Sequence, residues 1–216
     1  QRRDLDIMIK IVGAKSRAYA AATPGTPFKI GGKFKVPILE GIREKEVERV
    51  VMISTGVGIG PCVGAIEKAL SSPLSFPPIT LIASFRNEEE VIFGDHLNEL
   101  ELEHSPDRLR WKPIITSRDG RLSSSEANLK SFLLDSQAND DGRDLGLSGT
   151  HYHLIGNGQM VNEFKAGLSK AGVPDDCVTL EMYFNHKATI SDGVVDRIAT
   201  FISKYASVNS NAIARG

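Results

Sequence analysis

The stretch VVMISTGVGIGPCVGAIEKAL, residues 50–70, joins an apolar run to a glycine-rich turn and then to a helical segment. Its first five residues are short, mostly β-branched or apolar side chains, which is typical of a buried parallel strand. Glycines follow at positions 56, 58 and 60, and Pro61 suits the first turn of a helix. The stretch therefore predicts a strand, a tight turn and a helix in that order.

The same order of elements recurs along the rest of the chain. Apolar runs are followed by polar turns and then by segments with helical periodicity. The further predicted strands are ITLIASF (79–85), LRWKPIIT (109–116), HYHLIG (151–156) and CVTLEMYF (177–184). Strands that alternate with helices over roughly 140 residues predict an α/β domain with a doubly wound, parallel five-stranded sheet.

Composition excludes several classes of protein. The chain has 216 residues, 41% of them hydrophobic, which is enough to bury a core. A formal net charge of -1 gives no basic surplus for nucleic acid. No apolar run approaches the roughly 20 residues of a membrane span. Cys62 and Cys177 have no spacing typical of zinc or disulfide frameworks, so we expect a soluble protein of a reducing compartment, cytoplasm or organelle stroma or matrix.

The first 45 residues follow a different pattern. The alternation in DLDIMIKIV (4–12) predicts a strand, SRAYAAA (16–22) predicts one or two helical turns, and GGKFKVPIL (31–39) predicts another strand. A charged run then precedes VVMIS and indicates a boundary near residue 46. The predicted domains are residues 1–45, residues 46–186, and a C-terminal helical extension with a polar tail at 187–216.

The turns after the strands carry the candidate chemistry, because ligands of open parallel sheets bind outside the carboxyl ends of the strands. Gly56 and Gly58 would let a phosphate approach the backbone at a helix N-terminus. A plain turn explains GVGIG equally well, and the dinucleotide pattern G-x-G-x-x-G is not met. His151 and His153 share one strand face but lack further ligands, so we predict no metal site. Cys62 lies near a helix start, a place that can lower the pKa of a thiol, but we expect it to serve in packing.

The turns together resemble a known family. ISTGVGIGP, SFRNEEEVIFGDHLNEL, ITSRDGR and LIGNGQMVNEFKAGL occur in the order found in the nicotinamide-nucleotide-binding domain of the ferredoxin–NADP reductase superfamily, which includes cytochrome b5 reductase-like enzymes. The resemblance covers residues 47–184. It implies binding of NADP or NAD, and hydride exchange with FAD.

The resemblance also implies roles for individual residues. Those matching the turn that cradles the pyrophosphate are Thr55, Gly56, Gly58 and Pro61, and those lining the nucleotide groove are Arg86 and Asn87. Ser117 and Arg118 match the pair that holds the 2′-phosphate of NADP, with Arg121 as a second charge, so we expect a preference for NADPH. Gly156, Gly158, Gln159 and Met160 occupy the family's C-G-x-x-x-M turn, and Glu181 matches a glutamate near the flavin and nicotinamide, a conceivable proton relay.

Two departures leave the function open. Ile155 replaces the cysteine that the family has beside the site of hydride transfer. The flavin motif arginine-x-tyrosine-serine or -threonine is not met by Arg17, Tyr19 and Ala20, so residues 1–45 are interpreted as the last part of an antiparallel FAD barrel whose beginning would precede Gln1.

Two functions are consistent with these residues. One is an NAD(P)H-dependent flavin oxidoreductase that exchanges electrons with an iron–sulfur protein, a haem protein or a small acceptor. The alternative is a non-catalytic, reductase-like structural or nucleotide-sensing subunit of a larger assembly. A fold alone does not decide between them.

Overall fold

The computed structural model describes residues 7–29, 42, 47–71, 76–104, 108–129, 149–184 and 187–206. These belong to two units, Gln1–Pro37 and Ile38–Gly216. The strands are β1 (Arg49–Thr55), β2 (Ile79–Phe85), β3 (Leu109–Ile115), β4 (Thr150–Asn157) and β5 (Val178–Phe184). The helices are α1 (Ala14–Ala20), α2 (Ile59–Leu70), α3 (Gly94–His104), the single turn α4 (Thr116–Asp119), α5 (Gly158–Lys170) and α6 (Asp192–Ala206).

The five strands form one parallel sheet in the order β3-β2-β1-β4-β5. The chain builds outward from β1 in one direction and then returns to build outward in the other. The order of strands thus reverses between β1 and β4, and this switch point is where open α/β sheets bind ligands at their carboxyl edge. The predicted doubly wound five-stranded sheet is confirmed.

Side chains alternate between the two faces of the sheet, and both faces are buried. Val51 and Ile53 of β1 point into a core cluster with Phe164 of α5 and Phe201 of α6. Val50 and Met52 point to the opposite face and are also fully buried. Helix α2 contacts β1 and β2, and α3 contacts β3. This explains why VVMIS is apolar throughout rather than alternating.

The edge position of β3 explains its sequence. An edge strand tolerates proline because one side of its backbone needs no partner strand, and β3 contains Pro113. The backbone N–H of Trp111 donates instead to Glu101 Oε1 of α3 at 3.2 Å, and the Trp111 indole donates to Asn98 Oδ1 at 2.8 Å. Two side chains of α3 therefore cover the open edge.

The smaller unit corrects one prediction. The helix predicted from SRAYAAA forms as α1, and the hydroxyl of Ser16 accepts from the N–H groups of Val12 and Gly13, both at 2.9 Å. Residues 7–12, the described part of the predicted strand 4–12, form no strand, and Ile7 and Ile11 are more than half exposed. A strand needs a pairing partner, and the described residues offer none there. The predicted strand 31–39 lies outside the described residues.

Candidate functional site

The carboxyl ends of β1 and β4 meet at the centre of the sheet. We call residues 55–61 and 156–160 the inner turns; they comprise the last residues of these two strands and the turns that follow them. The backbone N–H of Asn157 donates to Thr55 Oγ1 at 2.8 Å, across 102 positions of sequence. Gly56 has a φ of 53°, a conformation that favours glycine. One side-chain hydroxyl thus ties the first inner turn to the second.

Glycines let these two turns approach each other. Gly156 has a φ of 125°, and a β-carbon placed there would lie 2.9 Å from the carbonyl oxygen of Thr55 and closer still to Thr55 Oγ1. A β-carbon on Gly58 would lie 3.0 Å from the carbonyl oxygen of Ile155. These two glycines are therefore needed for the packing of one turn on the other.

Two helices begin at the inner turns and present their N-termini to the same edge. No side-chain cap is seen at the start of α2 in the described structure, where Gly58 is the N-cap residue. Asn157 caps α5, its Oδ1 accepting from the N–H of Gln159 at 2.9 Å, while the Gln159 side chain donates to Glu163 Oε1 at 3.1 Å. Free N–H groups and aligned helix dipoles at such an edge attract an anion such as a phosphate.

The carboxyl ends of β2 and β3 form a second pair of turns, residues 86–90 and 117–121, which we call the outer turns. The backbone N–H of Ser117 donates to the carbonyl oxygen of Arg86 at 3.0 Å, so these two predicted residues are neighbours. Arg86, Ser117, Arg118 and Arg121 are exposed, and Asn87 is half-buried. In contrast to the inner turns, the outer turns present charged side chains to solvent.

Arg118 is already engaged by two carboxylates, which the sequence analysis did not anticipate. Its Nε and Nη2 donate to Asp119 Oδ1 and Oδ2 at 2.7 and 3.0 Å, and its Nη1 donates to Glu88 Oε1 at 2.5 Å. These bonds, first to Asp119, raise the pKa of Arg118, and the pKa of Asp119 is lowered in turn. The acidic residues in RNEEE and SRDGR were the only sequence feature that could have indicated these ion pairs. Three of the five guanidinium N–H groups are thus engaged, so a phosphate that binds Arg118 competes with these carboxylates.

Glu181 lies on β5, opposite Ile155 in the register. Burial raises the pKa of Glu181, and burial together with the charge of Glu181 raises the pKa of the Cys62 thiol to about 12. The helix start therefore does not lower the pKa of this thiol, because Cys62 is fully buried and faces a carboxylate rather than a cation. The packing role predicted for this thiol is the one that its burial supports. Ile155 is likewise fully buried.

The two histidines of β4 contact the neighbouring strand β5. His151 Nε2 and His153 Nδ1 lie 3.0 and 2.8 Å from the hydroxyl oxygen of Thr179, and both histidines are buried. Burial, with a smaller contribution from His151, lowers the pKa of His153 to about 4. No group of three or more candidate metal ligands occurs among the residues that the structure describes.

The remaining predicted residues are distributed as follows. Pro61 is exposed in the first turn of α2, and Met160 is partly buried against the core cluster. Arg17 and Tyr19 belong to the smaller unit, where the ring of Tyr19 lies 4.8 Å from that of Phe28.

A cavity of about 600 Å³ beside α3 and β3 is lined by residues 91–96 and Trp111, and it contains none of the predicted site residues. In the part of the chain described, none of the helices has the length and apolar character to cross a membrane.

Comparison with known proteins identifies the family of the chain. The family model described as the oxidoreductase NAD-binding domain matches residues 52–166, more than half of the chain. The NADH nitrate reductase of Volvox carteri is 30% identical over 97 residues, which are 44% of this chain and 11% of that protein.

Solved structures share the fold at low identity. The CS-b5R domains of human Ncb5or in the NAD+ form superpose with a TM-score of 0.56 at 18% identity, covering 81% of this chain and 47% of that one. The flavohemoglobin of Malassezia yamatoensis, with bound FAD and heme, also gives a TM-score of 0.56 at 18% identity, covering 82% and 43%. The chain thus spans less than half the length of each of these structures.

Proposed function

This chain belongs to the oxidoreductase NAD-binding domain family, and we propose that it is the nucleotide-binding module of an NAD(P)H-dependent flavin oxidoreductase. The observation that carries the proposal is the close packing of the two inner turns, joined by the Thr55 hydrogen bond, at the switch point of the sheet. Thr55 and Gly156 allow two glycine-containing turns, and the helix N-termini that follow them, to lie side by side at the carboxyl edge of the sheet. That arrangement suits the pyrophosphate of a dinucleotide.

Within this proposal the inner turns hold the pyrophosphate and the nicotinamide. The cradle consists of Thr55, Gly56, Gly58 and Pro61 from the first turn, and of Gly156, Gly158, Gln159 and Met160 from the second. A side chain on Gly58 or Gly156 would fill the space that separates the turns. The residues present therefore fit a nicotinamide nucleotide at this edge.

The outer turns are proposed to hold the adenosine end, with Arg86 and Asn87 lining the groove. Ser117, Arg118 and Arg121 would take the 2′-phosphate of NADP(H), since a guanidinium forms paired hydrogen bonds with a phosphate. Arg118 is 61% exposed, and its partner Glu88 is 69% exposed. Exposed ion pairs are weak, so a phosphate can replace Glu88 at little cost. We therefore propose that NADPH binds more tightly than NADH.

The redox chemistry belongs to the cofactors, and the chain positions them. When bound, the nicotinamide would supply a hydride, that is two electrons and one proton, to an FAD that we propose is held mainly by another domain. Glu181, whose pKa is raised by burial, is proposed to hold a proton near that site. The electrons would pass to an iron–sulfur protein, a haem protein or a small acceptor.

The first experiment measures binding by thermal denaturation of the chain with NADPH and with NADH. A ligand that binds only the folded state raises the melting temperature, and we expect the larger rise with NADPH. Arg118→Ala should weaken NADPH binding about ten-fold and leave NADH binding unchanged. Arg110→Ala, at the opposite end of β3, is the control. Absence of any shift with either nucleotide would refute the proposed site, and equal losses for both would refute the role of Arg118.

Ile155 favours a second candidate, a non-catalytic reductase-like subunit that binds or senses the nucleotide. The position where the family has a thiol holds a fully buried aliphatic side chain. The two candidates differ in the full-length protein, which would be yellow from bound FAD if it were the enzyme. In that case Ile155→Cys should increase NADPH-dependent reduction of the flavin. A colourless full-length protein that still binds NADPH would establish the second candidate.

A further inference from the structure

Helix α6 lies beyond residue 166, the end of the family match, yet it is built into the domain. Ile198, Phe201 and Ile202 are buried in the same core cluster as the apolar face of α5. Gly167 of α5 has no side chain, and a β-carbon there would lie 2.5 Å from Ile198 Cγ2. The two helices therefore pack closely, and α6 is held at a fixed position on the sheet.

The polar side of α6 reaches the segment that directly follows the second outer turn. Arg197 Nη1 donates to the carbonyl oxygen of Ser123 at 2.8 Å. Ser123 is buried and belongs to a 3-10 turn, Leu122–Ser124, that directly follows Arg121. Leu122 is part of the core cluster that α6 helps to form. One hydrogen bond thus connects α6 to the segment that carries the proposed 2′-phosphate ligands.

That segment is tied together as a unit. The side-chain amide of Asn128 donates to the carbonyl oxygens of Asp119 and Arg121, at 2.7 and 2.9 Å, and to Ser124 Oγ at 3.2 Å. The backbone N–H of Ile115 donates to Asp119 Oδ2 at 3.2 Å. We therefore expect a displacement of Ser123 to shift its neighbour Ser124 and, through Asn128, the backbone at Asp119 and Arg121.

We propose that Arg197 is a positioning residue that fixes the 117–124 segment and thereby sets the discrimination between NADP(H) and NAD(H). The inference rests on the proposed function, in which this segment binds the 2′-phosphate. It assigns a role to α6, which the family match does not cover. Arg197 acts through Ser123 and does not itself contact the nucleotide.

The test compares Arg197→Met, which keeps the aliphatic stem, with Asp196→Asn on the same helix. Asp196 accepts from Lys170 of α5 at 2.6 Å, so its partner lies outside the 117–124 segment. The Asp196 variant therefore controls for the loss of an α6 contact as such. The readouts are the affinities of the chain for NADP+ and NAD+, and amide hydrogen exchange of residues 117–124 without nucleotide.

We expect Arg197→Met to weaken NADP+ binding about five- to ten-fold, to change NAD+ binding less than two-fold, and to speed exchange of residues 122–124. Arg197→Lys, which keeps a donor, should restore part of the affinity. Equal loss for both nucleotides, or no change in the ratio or in exchange, would overturn the inference while the proposed function stands. A wild-type chain that binds neither nucleotide would overturn both.

Discussion

The inner and outer turns lie at the same edge of one sheet but are held in different ways. The inner turns are fixed mainly by close backbone packing: Gly156 leaves no room for a β-carbon, Gly58 leaves little, and the half-buried hydroxyl of Thr55 joins the two turns. The outer turns are fixed by exposed side chains, with Arg118 shared between Asp119 and Glu88.

This difference separates two tasks of a nucleotide site. Every dinucleotide carries the same pyrophosphate, so the part that holds it can be rigid and intolerant of change. The choice between nucleotides depends on one phosphate, and exposed ion pairs can exchange partners at little cost. We therefore expect substitutions in the inner turns to affect stability and all nucleotides, and substitutions in the outer turns to affect selectivity alone.

The largest effect is expected from Gly156→Ala. Alanine at a φ of 125° is strained, and its β-carbon would overlap Thr55, so we expect a loss of roughly 3 to 5 kcal/mol of unfolding free energy in urea titrations. Binding of NADPH and NADH should be lost together. Gly64→Ala in α2, where a β-carbon meets no atom within 4 Å, is the control and should be neutral or stabilising. If the Gly156→Ala protein were as stable as the wild type and still bound nucleotide, the close packing of the two inner turns would not be required.

Acid is expected to weaken the sheet that supports the inner turns before it affects the outer ion pairs. The pKa of His153 is lowered from 6.5 to about 4 in the folded state, so the unfolded chain binds the proton more readily. The contribution of His153 to stability is complete above pH 6.5 and declines as the pH falls towards 4, by about 3 kcal/mol in total.

Urea unfolding at several values of pH between 7.5 and 4 tests this prediction. His153→Gln should lower stability at pH 7.5 and flatten the dependence between pH 6.5 and 4. An unchanged slope in that variant would assign the acid sensitivity to other groups.

Thr55→Val should have a smaller effect than either. Valine has nearly the same shape but no hydroxyl, which leaves the N–H of Asn157 without its acceptor and costs about 1 to 2 kcal/mol. Affinity for NADPH and for NADH should fall by the same factor, and Thr55→Ser should behave like the wild type. A loss confined to NADPH would mean that the inner turns also contribute to selectivity.

The smallest effect is expected from Glu88→Gln in the outer turns. Removing this carboxylate frees one edge of Arg118, and we expect NADPH to bind about two- to five-fold more tightly with NADH unchanged. Glu89→Gln removes a neighbouring exposed charge and is the control. Equal gains in affinity in both variants would indicate a general electrostatic effect of removing a negative charge rather than competition between Glu88 and the phosphate for Arg118.

Much of the fold follows from local sequence patterns. Buried strands such as VVMIS, the glycine at the first inner turn and the terminal amphipathic helix are each visible within a few residues. The predicted strand at 4–12, whose described residues 7–12 form no strand, shows the limit of such reasoning. Alternation indicates that a segment can pair but does not supply the partner.

The site was less predictable because its defining contacts are long-range. Asn157 bonds to Thr55 across 102 positions, and Arg197 bonds to Ser123 across 74. The environment of Cys62 likewise depends on Glu181 of a distant strand. No local pattern contains these pairs, so the residue types were recognised but their partners were not.

Hydrogen exchange of the whole chain with saturating NADP+ or NAD+ tests the central claim most directly. We predict that either nucleotide slows amide exchange in residues 55–62 and 156–160, and that NADP+ adds protection in residues 117–121. Protection that avoids both inner turns, for example only around the cavity at residues 91–96, would contradict a dinucleotide site at the switch point of the sheet.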